Sequence, residues 1–437
     1  MRGSSSKLRT LLNLGVVAFS LFGVLAILGS FIFCSRPIDP YRLDLDSGRG
    51  VDFVLRFTEV DCLRSGINPY RVWNGDISHS LYYSTVDQNK AKYLGKLPIN
   101  AYTPWEYTFI YPLSIIKSWN VRWIVFTGGR LLAFVLMVAF FVRRAFRLRN
   151  RIMDVCFCCS CLSLVAGAVY SDLMPSNFSV FLTALAIGMV VCLNRGYFCL
   201  AGVFWALIMV KPQIGLLLAV PLMIARRFDT IAVAMALCLA ASIPPSYHCG
   251  ESVLSMIAQA PAASVHGFGG CALMPFSLFS WLRDSFGCPS FAILGVALMI
   301  GVCLCVCASW WSKDENDWLV RIFPCVVISL SWTYIHSYSH VFSMISIFVV
   351  SCIFVRVQSW RVRLLCLLSV VSFSDVGFYL VRAAIRLGGV CGPETSDPIS
   401  GFVRWLGGAF SVFFCMFWCK TGLHGRGLSR VDGKPMV

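Results

Sequence analysis

Charge is what this chain has little of. Asp, Glu, Lys and Arg together make up 13 % of its 437 residues, while hydrophobic residues make up 58 %. Such a balance excludes an ordinary soluble domain, whose surface needs about twice that share of charge. Also missing is period-two alternation over strand-length segments, which excludes a membrane β-barrel. The chain has no G-x-x-x-x-G-K-[ST] loop, no G-x-G-x-x-G after a strand and no H-E-x-x-H. Nucleotide-driven transport, dinucleotide binding and zincin-type hydrolysis therefore have no foothold. No internal repeat and no low-complexity tract is found.

What is present is a series of apolar blocks of helix-spanning length, the mark of an all-α integral membrane protein. The expected fold is one polytopic helical bundle of about twelve spans over residues 1–437. An uncleaved first span over 11–34 follows Arg2, Lys7 and Arg9, without a small-x-small cleavage site. Further spans are expected at 121–142, 152–170, 177–194, 196–210, 214–225, 230–247, 291–310, 318–334, 340–355, 364–381 and 401–419. Two long loops are expected outside the cytoplasm, at 35–120 and 248–290.

Net charge is +16, yet the basic residues do not form a stripe for nucleic acid. They cluster after alternate spans: Arg143, Arg144, Arg147, Arg149 and Arg151; Arg226 and Arg227; Arg356, Arg361 and Arg363; and Lys420, Arg426, Arg430 and Lys434. The positive-inside rule puts these clusters, and both termini, in the cytoplasm. A plasma (inner) membrane protein with an extracytoplasmic working face is the expectation. The 21 cysteines include Cys156, Cys158, Cys159 and Cys161 within one apolar block, with no second cluster at zinc-like spacing. Packing is the favoured role there. Cys62, Cys249, Cys271, Cys288 and Cys391 fall outside the expected spans, where disulfides form, and their pairing is open.

Ionisable residues at the outer ends of spans carry the functional signal, because they cost energy there unless they pair or react. This topology gathers Asp52, Asp61, Asp172, Lys211, His336 and His340 on one face. A carboxylate there can take a proton from a hydroxyl, a cation can hold a phosphate, and an imidazole can do either. Taken singly, each also has a structural reading: Asp61 pairs with Arg64 a turn away, Lys211 snorkels, and the histidines sit as interfacial rings. Their convergence in so apolar a chain favours function. The short apolar halves around Lys211-Pro212-Gln213 are also what discontinuous helices at membrane sites look like.

The order of motifs resembles the polytopic membrane glycosyltransferases of family 87, which have the GT-C fold and use polyprenyl-phosphate sugars. Four places carry it: Val51-Asp52-Phe53 with Gly66-Ile67-Asn68-Pro69-Tyr70; Tyr102-x-Pro104 to Pro112; Lys211-Pro212-Gln213 with an apolar run to Arg226-Arg227; and Ser331-Trp332-x-Tyr334 to Tyr338. Three departures stand beside them. Trp105 follows Pro104 where the family has a second Pro, Ser339 stands at a position often Asp, and a Gly-Gln-x-Asn motif is reduced to Met174-Pro175-Ser176-Asn177.

The resemblance implies an inverting hexosyltransferase, with a mannose donor favoured and a lipid or glycan as acceptor. Asp52 would be the general base, and Lys211 with His336 would bind the donor phosphate. Asp61, Tyr70, Tyr102, Gln213, Tyr338 and His340 are candidate substrate contacts. No cofactor and no metal is expected, since the leaving group is a single phosphate that a lysine can neutralise in part. Expected partners are the lipid-linked donor, the acceptor and membrane lipid, with no nucleic acid. The competing class is an envelope transporter, flippase or polymerase without this base.

Overall fold

The computed structural model describes residues 17–18, 21, 23–36, 49–70, 103–149, 166–269, 290–313, 316–332, 341–356, 363–364 and 366–369. Among them every regular element is helical, and there is no strand. In chain order the helices are α1 (Gly23–Cys34), α2 (Val51–Arg64), α3 (Pro104–Ser114), α4 (Trp119–Arg149), α5 (Ala166–Leu173), α6 (Ser179–Asn194) and α7 (Phe198–Ile208). They continue with α8 (Pro212–Ile224, including one 3₁₀ turn), α9 (Phe228–Cys249), α10 (Val253–Gly269), α11 (Ser290–Trp311), α12 (Trp318–Trp332) and α13 (Ser343–Arg356).

Three of these are long and apolar enough to cross a bilayer: Trp119–Arg144, Phe228–Cys249 and Ala292–Trp310. Only 39, 33 and 33 % of their apolar windows are buried in the protein. Most of each apolar surface therefore faces outward, which is stable only in lipid, so the chain is a membrane protein. Five shorter apolar helices accompany them, α1, α6, α7, α8 and the greater part of α12. The expected count of about twelve spans is thus not reproduced among the described residues. The expected spans near Lys211 are present as helices, but those at 177–194, 196–210 and 214–225 are each under the length of a full crossing. The expected span at 401–419 and most of those at 152–170 and 364–381 lie outside the described residues.

Helices α6, α7 and α9 pack in sequence, and close approach requires small residues between them. A Cβ added to Gly202 of α7 would lie 2.6 Å from the Thr230 carbonyl oxygen of α9. The Thr230 hydroxyl in turn donates to the Phe198 carbonyl at 3.0 Å. The larger apolar core unites α4 through α8 with α11, α12 and α13. A smaller one joins α2, α3, the start of α4 and α10. Phe178 and Phe181, at the head of α6, pack against both. The polar cluster described next lies at that junction.

Helix α2 is seated on α4 by Phe53, whose ring meets Trp123 edge-on at 5.1 Å and Phe126 at 5.2 Å. Its open N-terminal amides are satisfied from another part of the chain. Gly50 N–H donates to the Met174 carbonyl at 2.6 Å, and Asp52 N–H to the Pro175 carbonyl at 2.8 Å. Gly50 takes φ 73°, a conformation natural to glycine, to start the helix at that angle.

Candidate functional site

Four segments converge. The first turn of α2 brings Asp52; the turn 174–178 between α5 and α6 brings Asn177; α6 begins with Ser179; and the break between α7 and α8 brings Lys211. Their side chains are all buried, Asp52 being 7 % exposed and Lys211 2 %. The Asn177 amide nitrogen donates to Asp52 Oδ2 at 2.6 Å. The amide oxygen of the same side chain accepts from Lys211 Nζ. Lys211 Nζ also donates to Ser179 Oγ at 3.3 Å. One amide therefore links the carboxylate and the ammonium, with its two ends oriented by their opposite charges.

The turn that carries Asn177 is built from below. Ser176 adopts φ 66°, which a non-glycine residue holds only when its surroundings fix it. Those surroundings are Arg130 of α4, which donates to the Leu173 carbonyl at 3.3 Å and to Ser176 Oγ at 3.5 Å. Asp172 accepts from Ser179 N–H at 2.9 Å and so caps the start of α6. Burial raises the Asp172 carboxyl above the usual range, against the pull of Arg130 and Lys211.

Lys211 is not snorkelling. It precedes Pro212, and with φ −111° and ψ 87° it has left the helical region, as a residue before proline tends to. Two indoles hold the break open on either side. Trp105 donates to the Met209 carbonyl at 3.0 Å, and Trp205 to the Gly215 carbonyl at 2.9 Å. Burial pushes the Lys211 ammonium down to about 8, opposed by Asp172, Asp52 and Glu106. Burial thus disfavours the ammonium where it stands, and a phosphate anion beside it would relieve that.

Along the buried face of α2, Asp52, Arg56 and Glu59 fall at i, i+4 and i+7, one stripe of the helix. Arg56 is ion-paired to Glu59 with both side chains essentially inaccessible. Glu106 and Tyr107 of α3 and Tyr70 are buried beside this stripe. Burial pushes Glu59 up to about 7, with Arg56 pulling the other way. Glu106 is pushed well above the carboxylate range by burial first, with Arg56 and Lys211 opposing.

The structure thus joins Asp52 to Lys211 and separates Asp61 from both. Asp61 is nine residues along α2, half a turn round to the other side, and its carboxylate lies 3.9 Å from Arg122. Gln213 is half-buried two residues past Lys211. Tyr70 is fully buried, with its backbone N–H on Asn68 Oδ1 at 2.9 Å. Tyr102, His336, Tyr338 and His340 lie outside the described residues. Sequence reasoning missed Arg130 and Glu106 and saw Asn177 only as the remnant of a motif. Arg130 had a readable signal, a charge in the middle of an apolar run.

Residues 100–265 match the family model for glycosyltransferase family 87, the family that the motif order resembles. The match covers Asp172, Asn177, Ser179 and Lys211 and stops short of Asp52. The match covers under half of the chain and is a likeness to that family over this region. No curated protein and no solved structure matches the chain.

Proposed function

We propose that the chain transfers a hexose, mannose being favoured, from a polyprenyl-phosphate donor to a lipid or glycan acceptor at the extracytoplasmic face. Asp52 acts as general base: it takes the proton of an acceptor hydroxyl as that oxygen bonds to the anomeric carbon. The bond from that carbon to the phosphate oxygen breaks, the configuration inverts, and the lipid phosphate leaves against Lys211. His336 is proposed as a second phosphate contact, and Gln213 and Tyr102 as substrate contacts.

The observation that carries this reading is the Asn177 amide, which ties the Asp52 carboxylate to the Lys211 ammonium inside a buried pocket of charge. An in-line displacement needs a base on the side of the attacking oxygen and a cation on the side of the leaving one. A carboxylate and an ammonium one amide apart supply both, in surroundings where electrostatic stabilisation is strong.

The test is transfer of radiolabelled sugar from a panel of polyprenyl-phosphate monosaccharides in membranes holding the wild type or Asp52→Asn. Label in a new product with the wild type alone supports the donor class and the base together. Transfer by neither, with folded protein in both, overturns the reading and favours an envelope transporter.

A further inference from the structure

The Asp52–Lys211 link accounts for a base and a phosphate. It leaves unused a set of buried polar atoms between α2 and α3. Glu59 Oε1, both carboxyl oxygens of Glu106 and the Tyr107 hydroxyl are all buried and accept or donate no hydrogen bond among the described residues. Buried polar groups are nearly always satisfied, so four orphaned atoms from two facing helices ask for a common partner. All four lie beside the smaller core, which also holds Tyr70.

These atoms sit close to the proposed chemistry. Glu106 feels the charges of both Lys211 and Asp52, as well as those of Arg56 and Glu59. Along α2, Glu59 is seven residues from Asp52, roughly 10 Å. A ligand that reaches from one to the other leads directly to the base.

The chemistry of the orphaned atoms limits what that ligand is. Among the described residues of this cluster the one cation, Arg56, is already paired with Glu59, so no positive charge is left there to hold the donor's anionic end. A polyisoprenoid tail offers no polar atom to satisfy them. A carbohydrate offers several hydroxyls, each able to donate and to accept, and aromatic rings such as Tyr70 and Tyr107 suit its C–H faces.

We propose that Glu59, Glu106 and Tyr107 form a hydroxyl-binding subsite for the acceptor, which makes that acceptor a carbohydrate at its reacting end. The proposal rests on the transferase reading for the word acceptor, but the binding of a sugar there does not depend on transfer.

The experiment uses full-length protein, with Glu106→Gln and Tyr107→Phe as separate variants. Two readouts are taken: acceptor and donor KM in the transfer assay, and thermal stabilisation by a panel of methyl pyranosides, the latter also in the Asp52→Asn background. The subsite predicts an acceptor KM raised about tenfold in each variant, a smaller change in donor KM, and loss of glycoside stabilisation. Wild-type acceptor KM with glycoside stabilisation intact, in either variant that folds, overturns it and makes the cluster purely structural. If no donor supports transfer but glycosides stabilise the protein in a Glu106-dependent way, the subsite stands and the transferase reading falls. If Asp52→Asn loses transfer while Glu106→Gln responds to glycosides as the wild type does, the transferase reading stands and the subsite falls.

Discussion

The two ends of helix α2 each present an aspartate, and in the sequence only the motif around Asp52 tells them apart. At the N-terminal end Asp52 is buried, accepts a hydrogen bond from Asn177 and shares that amide with Lys211. At the C-terminal end Asp61 is partly exposed and lies 3.9 Å from Arg122, on the opposite side of the helix. The same side chain thus stands in two electrostatic settings two and a half helical turns apart, on opposite sides of α2. What separates a candidate base from a surface ion pair here is the partner that a distant segment supplies. Asn177 is 125 residues from Asp52 in sequence, and the contact exists only because the turn before α6 docks on the first turn of α2.

That contrast is open to direct attack. Asp52→Asn removes the proton acceptor and keeps the shape, so turnover should fall by about a hundredfold to ten-thousandfold, whereas Asp61→Asn should keep turnover within about twofold. Steady-state kinetics on the two variants side by side check this, and the reverse ranking would hand the role of base to Asp61. The next effect in size belongs to the cation. Lys211→Ala should raise donor KM by roughly a hundredfold, since a buried charge-assisted contact to phosphate is lost. Titration with a donor analogue measures it, and unchanged affinity would leave Lys211 a structural group.

Removing the link while keeping both charges is milder. Asn177→Ala should lower kcat/KM by about tenfold, with expression and folding retained. A loss no larger than that of Asp61→Asn would mean that the amide is incidental.

The smallest effect is a pH limb. Burial holds Lys211 down to about 8, so it is charged below that value and neutral above it. Donor kcat/KM should therefore decline as pH rises through about 8, which a pH series of kcat/KM reads directly. The groups facing Lys211 are Asp172, Asp52, Glu106 and Arg56. Asp172→Asn takes away the carboxylate that most favours the ammonium, and should move the limb to lower pH.

Much of the fold was legible because the apolar blocks are bounded by charges and prolines. Helices α6, α7, α8, α9, α11 and α12 start and stop within about two residues of the expected limits, and α4 starts as expected but runs on to Arg149. Span counting was less successful, because α6, α7 and α8 are apolar yet too short to cross alone, and length is the only signal that separates a crossing from a buried half-helix. At the site, Asp52 and Lys211 stood out as charges in an apolar chain. Their joint partner did not, since an asparagine in a turn is ordinary and only the three-dimensional contact gives it meaning. Glu106 was hidden for a different reason: it sits among aromatics and prolines (Trp105, Tyr107 and Pro112), and only the packing of that helix on α2 and α9 shows it to be buried.

The main-chain grip on the start of α2 bears on how such a sequence is free to drift. Gly50 and Asp52 hang from the carbonyls of Met174 and Pro175, and a carbonyl is common to every residue. Mutation can rewrite the side chains at 174 and 175 without loosening the acid they hold. Asn177 has no such freedom, because its own amide makes the link. The seat of the acid is therefore indifferent to the side chains at 174 and 175 and rests on the single one at 177.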